Sequence, residues 1–475
     1  MTPLELLHSG GWVEYALTLG DGCPPALVPT AASGREREVD LVVIAPTRAQ
    51  ARKRGWLADA CDEAARALSA DGLVYALVPR GHRRAARRRL RAAGLLLDSR
   101  LAQLPGGATP RYLVPLEAAV WRHGLTHLIG ARPATRRALA VARALPFGEP
   151  LLAAMLPEVA TLARHPGGVG VAAWAAGLSE QPGAGLVVAT SWRGSAGPVV
   201  AYPFAEGARR PWGVVKIGPD SAREAAALGR LAAAARAAGA RVPRVLGVGQ
   251  VGGSHVRRDT LGETLLEGEP AARLLGRAPE RFDAVAAAVA DWLERWNAAT
   301  AQPARPAADR LERELLTPAA ELGDGLPPAY RDWLAARCAA VAGSELPLVA
   351  AHNDLTMWNV LVDGDDLGIL DWAEAEDAGL PLTDFFYAIA DAAAACDGYV
   401  NRLAAVRDCF EPGGRRAAAV APLRERLRSS LALAEGVDEL AFHACWLHHA
   451  ANERREGGDG SFLAIARWLA GRVAA

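Results

Sequence analysis

After about forty residues with little periodic pattern, the chain shows a regular alternation of apolar runs and longer amphipathic stretches. Residues 41–45 (LVVIA) and 73–79 (LVYALVP) are short apolar runs, which are typical of buried strands. Residues 48–70 between them have the length and spacing of a helix, and an Arg-rich helix and a hairpin follow. This order of elements predicts an α/β domain with a mostly parallel sheet over residues 1–116.

A second strand-rich region begins near Leu186, after a stretch that predicts a helical linker interrupted by Pro and Gly. Three β-rich runs joined by short polar links are followed by one long helix, which predicts a small sheet that carries a helix. Beyond this sheet the pattern is helical except at residues 347–372. The predicted division is a domain at 1–116, a helical linker at 117–180, a strand-rich lobe at 181–268 and a mostly helical lobe at 269–475.

Composition limits the classes of function. A chain of 475 residues predicts two or three domains. Lys plus Arg and Asp plus Glu both number 53, so no global basic charge indicates a nucleic-acid partner. The six cysteines are scattered without metal-ligand spacing, which favours a reduced, cytoplasmic setting, and we expect neither a signal peptide nor a membrane partner.

The segment 347–372 carries the residues that suggest chemistry. Asp354 is followed five positions later by Asn359, and Asp371 ends the next apolar run. The runs NVLV and LGILDW, joined by DGDD, predict a hairpin that returns Asp371 to the vicinity of Asn359. Phosphoryl transfer needs a carboxylate that orients the attacking hydroxyl and takes its proton, together with oxygen ligands for Mg²⁺. These three residues could supply both, and we interpret the aspartates of DGDD as turn residues.

The full segment HNDLTMWNVLVD…GILDWAEAEDAGLPLTDF resembles the signature of the aminoglycoside phosphotransferase and choline kinase family, which has a protein-kinase-like fold. The resemblance implies that Asp354 is the catalytic carboxylate and that Asn359 and Asp371 bind Mg²⁺. It also implies that His352 is structural and that Asp384 supports the catalytic loop by hydrogen bonding. It predicts that an α+β bilobal kinase domain follows the α/β N-terminal domain along the chain.

The nucleotide half of such a kinase needs a Lys on a strand, paired with a Glu on the next helix. Lys216 lies in the run GVVKIG, and Glu224 follows eight residues later on the predicted helix. The resemblance covers roughly residues 180–475 and implies ATP, with GTP as an alternative, together with Mg²⁺. A loop between the first two strands could cover the phosphates through Gly194, Ser195 and Gly197.

Residues 1–116 resemble, by strand order alone, the second half of an S-adenosylmethionine-dependent methyltransferase with a partial Rossmann-like sheet. The Gly-rich loop that receives the cofactor in that family is missing. The segments SGGW (Ser9–Trp12) and GDGC (Gly20–Cys23) are not predicted to lie between a strand and a helix. We therefore expect a degenerate domain that serves in docking or as a scaffold.

The sequence does not identify the molecule that accepts the phosphate. Trp446, His449 and Glu453 have helical spacing, which fits either a packed helix with a solvated edge or a substrate-binding face. Glu374, Glu376 and Asp377 follow the predicted metal ligand and could either meet a cationic acceptor or be structural.

The sequence thus predicts a small-molecule kinase that phosphorylates a hydroxyl of an aminoglycoside, amino alcohol, sugar or natural-product intermediate. One alternative is a pseudokinase or scaffold that binds nucleotide and docks a partner enzyme through its N-terminal domain. Another is a bifunctional methyltransferase and kinase. The oligomeric state is not predicted.

Overall fold

Packing divides the chain into two compact units. The first unit comprises Met1–Ala222 and Val245–Leu265, and the second comprises Arg223–Arg244 and Leu266–Ala475. This division does not follow the domain bounds inferred from the sequence, which stay a prediction. The computed structural model describes residues 4–8, 12–24, 27, 32–33, 38–104, 112–117, 120, 156, 158–168, 173–178, 185–190, 199–205, 208, 210–252, 257–303, 305–458 and 460–473.

Strands dominate the first unit and helices the second. The described strands are β1 (Tyr15–Leu19), β2 (Ala32–Ser33), β3 (Val39–Ile44), β4 (Leu68–Leu77), β5 (Leu96–Leu104), β6 (Tyr112–Pro115), β7 (Val159–Arg164), β8 (Gly185–Thr190), β9 (Val199–Phe204), β10 (Val214–Ile217), β11 (Ala240–Arg241), β12 (Val245–Gly252), β13 (Arg257–Glu263), β14 (Glu269–Pro270), β15 (Arg305–Pro306), β16 (Glu345–Leu346), β17 (Val349–Ala351), β18 (Val360–Asp363), β19 (Asp366–Ile369) and β20 (Glu376–Gly379). The described α-helices are α1 (Arg48–Arg52), α2 (Trp56–Ala67), α3 (Arg83–Ala92), α4 (Ser221–Ala237), α5 (Ala271–Arg277), α6 (Phe282–Thr300), α7 (Ala308–Leu311), α8 (Thr317–Leu322), α9 (Pro328–Val341), α10 (Thr383–Cys396), α11 (Arg402–Phe410), α12 (Ala417–Ser430), α13 (Val437–Glu456) and α14 (Ser461–Val473).

The described strands of the first unit form one sheet in the order β12-β13-β10-β9-β8-β6-β5-β7-β4-β3-β1-β2. The neighbours β2, β1, β3 and β4 are parallel, as the alternation of strands and helices predicts. The predicted hairpin of β5 and β6 is confirmed. Because β6 also pairs with β8, the N-terminal α/β part and the strands that carry Lys216 belong to the same sheet.

One strand of this sheet corrects the sequence analysis. Val159–Arg164, which we placed in a helical linker, forms β7 and lies antiparallel between β4 and β5. The first five residues of this run are buried, because the strand is covered on both faces. A short apolar run of this kind cannot be assigned to strand or helix from its periodicity. Its partners are also far away in the chain, so no local turn signal marks it.

The segment GDGC directly follows the strand β1, and the next elements described are the strands β2 and β3 rather than an α-helix. A Cβ atom on Gly20 would lie 2.7 Å from the carbonyl oxygen of Ala45, and one on Gly22 would lie 2.7 Å from that of Pro46. The Gly22 N–H also donates to the Ala45 carbonyl. Glycine is therefore needed here for close approach of two backbone segments. The methyltransferase resemblance of this region stays a prediction.

The second unit has a helical core with a small sheet, β11-β19-β18-β14, at one side. The predicted hairpin is confirmed as β18 and β19, and the turn between them contains Gly364 with a φ of +62°. Asp363 in this turn lies 3.3 Å from Arg241, in keeping with its interpretation as a turn residue. Under the hairpin, the ring of Trp296 stacks on Trp292. No helix within the described part of the chain has the length and apolar content needed to cross a lipid bilayer.

A buried polar pair joins two helices of this core. Tyr330 on α9 and His443 on α13 are hydrogen-bonded, with 2.7 Å between the Tyr330 Oη and the His443 Nδ1. Burial lowers the pKa of His443 to about 4, and the positive charges of Arg337 and Arg472 act in the same direction. His443 is therefore neutral in the folded protein near pH 7.

This low pKa predicts acid sensitivity. An unfolded chain binds a proton at His443 below about pH 6.5, whereas the folded protein resists protonation down to about pH 4. The stability from this pair should be complete above about pH 6.5 and should fall by up to about 1.4 kcal/mol per pH unit towards pH 4. The check is the thermal unfolding midpoint of wild type and His443→Asn between pH 4.5 and 7.5. The variant should show a weaker pH dependence, His82→Asn should behave as wild type, and equal slopes for wild type and His443→Asn would contradict the assignment.

Candidate active site

The loop between β17 and β18 brings Asp354 and Asn359 into direct contact. The Asn359 side-chain amide Nδ2 donates to the backbone oxygen and to Oδ2 of Asp354, both at 2.9 Å. This assignment of the amide, which follows from the two acceptors, leaves the Asn359 Oδ1 out of both bonds. A carboxylate and an amide oxygen are thereby fixed next to each other on one loop.

The hairpin adds Asp371 to this pair. The Leu370 N–H donates to the Asn359 carbonyl at 2.8 Å, so Asp371 is the next residue after the one that faces Asn359. On its other side, the Trp372 N–H donates to Glu224 Oε1 at 3.0 Å. The backbone of Asp371 has a φ of +61°, an uncommon conformation for a residue other than glycine. Hydrogen bonds on both flanks hold Asp371 in that conformation.

His352 lies entirely buried beneath this group. Its Nδ1 accepts the Asp354 N–H at 3.3 Å, and its Nε2 lies 2.9 Å from the Leu370 carbonyl. Since a carbonyl only accepts, Nε2 must carry the proton, and both ring nitrogens are engaged in holding backbone. Both ring nitrogens of His352 therefore contact the backbone of the loop and of the hairpin, and its structural role stays a prediction.

Asp384, at the start of α10, lies against the same loop. Its carboxylate accepts the His352 N–H at 2.6 Å and the Asn353 N–H at 2.8 Å. Asn353 has a φ of +62°, which asparagine tolerates better than most residues. Burial raises the pKa of Asp384, and the two backbone hydrogen bonds counteract that rise. Asp384 therefore accepts two backbone hydrogen bonds from the loop, and its supporting role in a kinase stays a prediction.

The electrostatics of Asp354 are unusual. Burial, and then the negative charges of Asp371 and Asp391, raise its pKa to about 8, against the opposing hydrogen bond from Asn359. A cation beside Asp371 would reduce this repulsion, and carboxylate and amide oxygens are the ligands that Mg²⁺ prefers. The side chains of Asn359 and Asp371 therefore fit the predicted metal. Among the residues that the structure describes, no group of three or more His, Cys, Asp or Glu side chains could hold a metal ion.

The predicted nucleotide residues are divided between the two units. In the first unit, the Lys216 Nζ on β10 lies 3.3 Å from Glu263 Oε1 on β13, a buried carboxylate that the sequence analysis missed. A signal existed, because Lys216 and Glu263 point to the same face of adjacent antiparallel strands. Glu224 belongs to the second unit, so its pairing with Lys216 stays a prediction. The loop residues Gly194, Ser195 and Gly197 lie outside the described residues.

The structure shows the contacts of three residues on α13 whose roles the sequence left open. Trp446 is buried in the core. Glu453 accepts the backbone N–H groups of Ser461, Phe462 and Leu463, and so satisfies the first turn of α14. His449 stacks on Tyr387, with 3.7 Å between the ring centroids. Packing and capping therefore account for Trp446 and Glu453, whereas His449 borders a cavity.

This cavity lies beside the loop between β17 and β18, because Asn353 of that loop forms part of its wall. The remaining wall comes from α10, from α13 and from a short π-helix at Glu312–Leu316. The lining residues are Glu314, Asn353, Thr383, Asp384, Tyr387, Ala444, Cys445, His448 and His449. Burial and the charge of Glu376 raise the pKa of Glu314 to about 7.

The acidic residues after Asp371 are paired with arginines. Each side chain lies within 3 Å of a guanidinium nitrogen. The pairs are Glu374 with Arg223 at 2.6 Å, Glu376 with Arg313 at 2.9 Å and Asp377 with Arg230 at 2.9 Å. The same holds for Glu314, which lies 2.7 Å from Arg310. The negative charge next to the loop is therefore largely balanced within the protein.

Residues 205–421 match the sequence model of APH, the phosphotransferase enzyme family. The match confirms the predicted family resemblance over these residues. A search of curated protein sequences found no match.

Several solved structures are similar to this chain, at low sequence identity and low TM-score. A thermostable mutant of aminoglycoside phosphotransferase APH(4)-Ia, in a ternary complex with AMP-PNP and hygromycin B, is 16% identical, with a TM-score of 0.41 over 62% of this chain and 92% of that one. A macrolide 2'-phosphotransferase from Brachybacterium faecium is 18% identical, with a TM-score of 0.35 over 59% and 90%. A glucosamine kinase bound to glucosamine, ADP and inorganic phosphate is 16% identical, with a TM-score of 0.35 over 65% and 86%.

The two hydrogen bonds of Asp384 predict a large loss of stability on its removal. Asp384→Ala would leave the buried N–H groups of His352 and Asn353 without their acceptor, at a cost of about 1–3 kcal/mol each. Thermal unfolding of the variant should show a midpoint several degrees lower than that of wild type. Asp377→Asn, which removes an exposed ion-paired carboxylate, should cost less than about 1 kcal/mol. Equal midpoints for Asp384→Ala and wild type would mean that these bonds do not hold the loop.

Proposed function

We propose that this protein transfers the γ-phosphate of ATP or GTP to a hydroxyl group of a small molecule. The observation that carries the proposal is the grouping of Asp354, Asn359 and Asp371 by one loop and one hairpin. It lies within the residues that match the phosphotransferase family. The chemistry of that grouping suits phosphoryl transfer, which needs positioning and charge neutralisation more than covalent participation by the protein.

In the proposed reaction, Asp354 accepts a hydrogen bond from the acceptor hydroxyl and takes its proton as the oxygen attacks the γ-phosphorus. The bond from that phosphorus to the bridging oxygen breaks, and the nucleoside diphosphate leaves. Asn359 and Asp371 would hold Mg²⁺, which when bound neutralises phosphate charge. Asn359 also orients the base through its hydrogen bond to Asp354, and Lys216 is proposed to contact the phosphates.

For the acceptor, the proposed site lies next to Asp354, on the side of the loop where Glu314 and Asn353 lie. The cavity lined by these two residues and His448 has room for about one water molecule, so it is not itself the acceptor site. A polycation would need uncompensated carboxylates, yet Glu314 and Glu376 already have arginine partners. Because these carboxylates are already paired with arginines, they favour an acceptor with little or no positive charge, such as a sugar or another polyol, over a polycationic aminoglycoside. The cytoplasmic setting stays a prediction.

The test is phosphate transfer by the purified protein with Mg²⁺ and either ATP or GTP. The acceptor panel should contain glucose, glucosamine, inositol, choline, ethanolamine and kanamycin. Asp354→Asn should lower kcat by at least about a hundredfold, since removal of a general base costs about 10²–10⁴ in rate. Its nucleotide affinity should stay close to that of wild type, because Asp354 acts on the hydroxyl.

Asp365→Asn is the matched control, because Asp365 is exposed in the turn of the same hairpin. It should retain wild-type rates. Full activity of Asp354→Asn would remove Asp354 from its proposed role. Tight binding of Mg-nucleotide without transfer to any acceptor would favour a nucleotide-binding scaffold, and the absence of nucleotide binding would contradict the proposal. A higher rate with kanamycin than with the neutral acceptors would overturn the acceptor class.

A further inference from the structure

A second buried carboxylate on α10, Asp391, also reaches the catalytic loop. It is 2% exposed and accepts three hydrogen bonds. The Met357 N–H donates to its Oδ2 at 2.7 Å, the Tyr399 hydroxyl donates to the same oxygen at 3.0 Å, and Arg402 Nη1 donates to Oδ1 at 3.0 Å. Every neighbour donates, so the group acts as a carboxylate that accepts at both oxygens.

Met357 lies in the loop between Asp354, the proposed base, and Asn359, the proposed metal ligand. It follows Asp354 by three positions and precedes Asn359 by two. Its side chain is fully buried, and its carbonyl oxygen accepts the Ala272 N–H at 2.9 Å. The backbone of Met357 is therefore fixed through both of its polar groups, and among the described residues Asp391 is the acceptor of the Met357 N–H.

Asp384 and Asp391 are seven residues apart on one helix. Because an α-helix has 3.6 residues per turn, side chains at this spacing lie on the same face, about 10 Å apart along the axis. One carboxylate binds the N–H groups of His352 and Asn353, and the other binds that of Met357. A single rigid helix thus holds the loop at two points, one before Asp354 and one after it.

The far side of Asp391 is also anchored. Its partner Arg402 lies over two aromatic rings, with its guanidinium carbon 5.2 Å from the ring centroid of Tyr399 and 5.0 Å from that of Phe462. Phe462 in turn stacks on His449, which borders the cavity beside the loop, at 5.3 Å. Asp391 therefore connects the loop backbone to the aromatic wall of that cavity.

We propose that Asp391 is a positioning residue for phosphoryl transfer, which it serves by fixing the backbone between Asp354 and Asn359 through the Met357 N–H. This inference rests on the proposed function. Loss of the hydrogen bond frees the loop between the base and the metal ligand, and a displacement of about 1 Å can cost about a hundredfold in rate. Binding of the nucleotide to the rest of the site does not require the bond.

The experiment compares Asp391→Ala, Asp391→Asn and wild type, with ATP, Mg²⁺ and the panel acceptor that gives the highest wild-type rate. Asp391→Ala should lower kcat by about ten- to a hundredfold, within the range that misplacement produces, while KM for ATP changes little. Asp391→Asn should recover most of that loss, because an amide oxygen can still accept the Met357 N–H although the charge opposite Arg402 is gone. Recovery by asparagine would not occur if Asp391 served only as the ion partner of Arg402.

Asp397→Asn is the matched control, because Asp397 follows the last residue of the same helix and pairs with Arg415 at the surface. It should leave both kcat and KM unchanged. Hydrogen exchange of the wild-type protein supplies a readout that needs neither a variant nor an acceptor, and the Met357 amide should be strongly protected. An unprotected Met357 amide, or a folded Asp391→Ala with wild-type kcat, would overturn the role of Asp391. Absence of phosphate transfer by wild type would instead remove the proposed function on which that role rests.

Discussion

The central constraint in this structure is that the loop from His352 to Asn359 must hold its backbone amides without strand partners. Buried N–H groups need acceptors. Here two carboxylates of α10 and one histidine ring supply them, at the N–H groups of His352, Asn353, Met357 and Asp354. The loop is therefore fixed by the rigid helix below it, and the side chains of Asp354 and Asn359 remain available for chemistry.

In the first unit, buried backbone N–H and C=O groups are paired within one sheet. Its strands β2, β1, β3 and β4 are parallel, and the turn at Gly20 and Gly22 packs directly on Ala45 and Pro46. The same sheet continues through β6 and β8 to the strand that carries Lys216. Sheet continuity of this kind stabilises the N-terminal part by hydrogen bonding, independently of any ligand that it binds.

Much of the site was predictable because its signals are local. The hairpin of β18 and β19 has alternating apolar runs around a Gly-containing turn, and the spacing of Asp354 and Asn359 follows from a short loop. The residues that were missed depend on contacts between distant segments. Asp391 lies in an almost wholly apolar helix, and no pattern shows that its side chain meets Met357, 34 positions earlier. The strand β7 was missed for the same reason, since its neighbours are fixed by the sheet and not by its own sequence.

Three buried carboxylates of the second unit differ in how their negative charge is balanced. The difference separates Asp384 and Asp391, which bind the loop backbone, from Asp354, the proposed base. Asp384 is met by two backbone donors and Asp391 by a guanidinium, a hydroxyl and an amide. For Asp354, burial and neighbouring negative charge outweigh the hydrogen bond from Asn359, and its pKa rises to about 8. Buried carboxylates with incomplete compensation are common at functional sites, which is consistent with the proposed role of Asp354. A cation held by the oxygens of Asn359 and Asp371 would relieve the repulsion at Asp354.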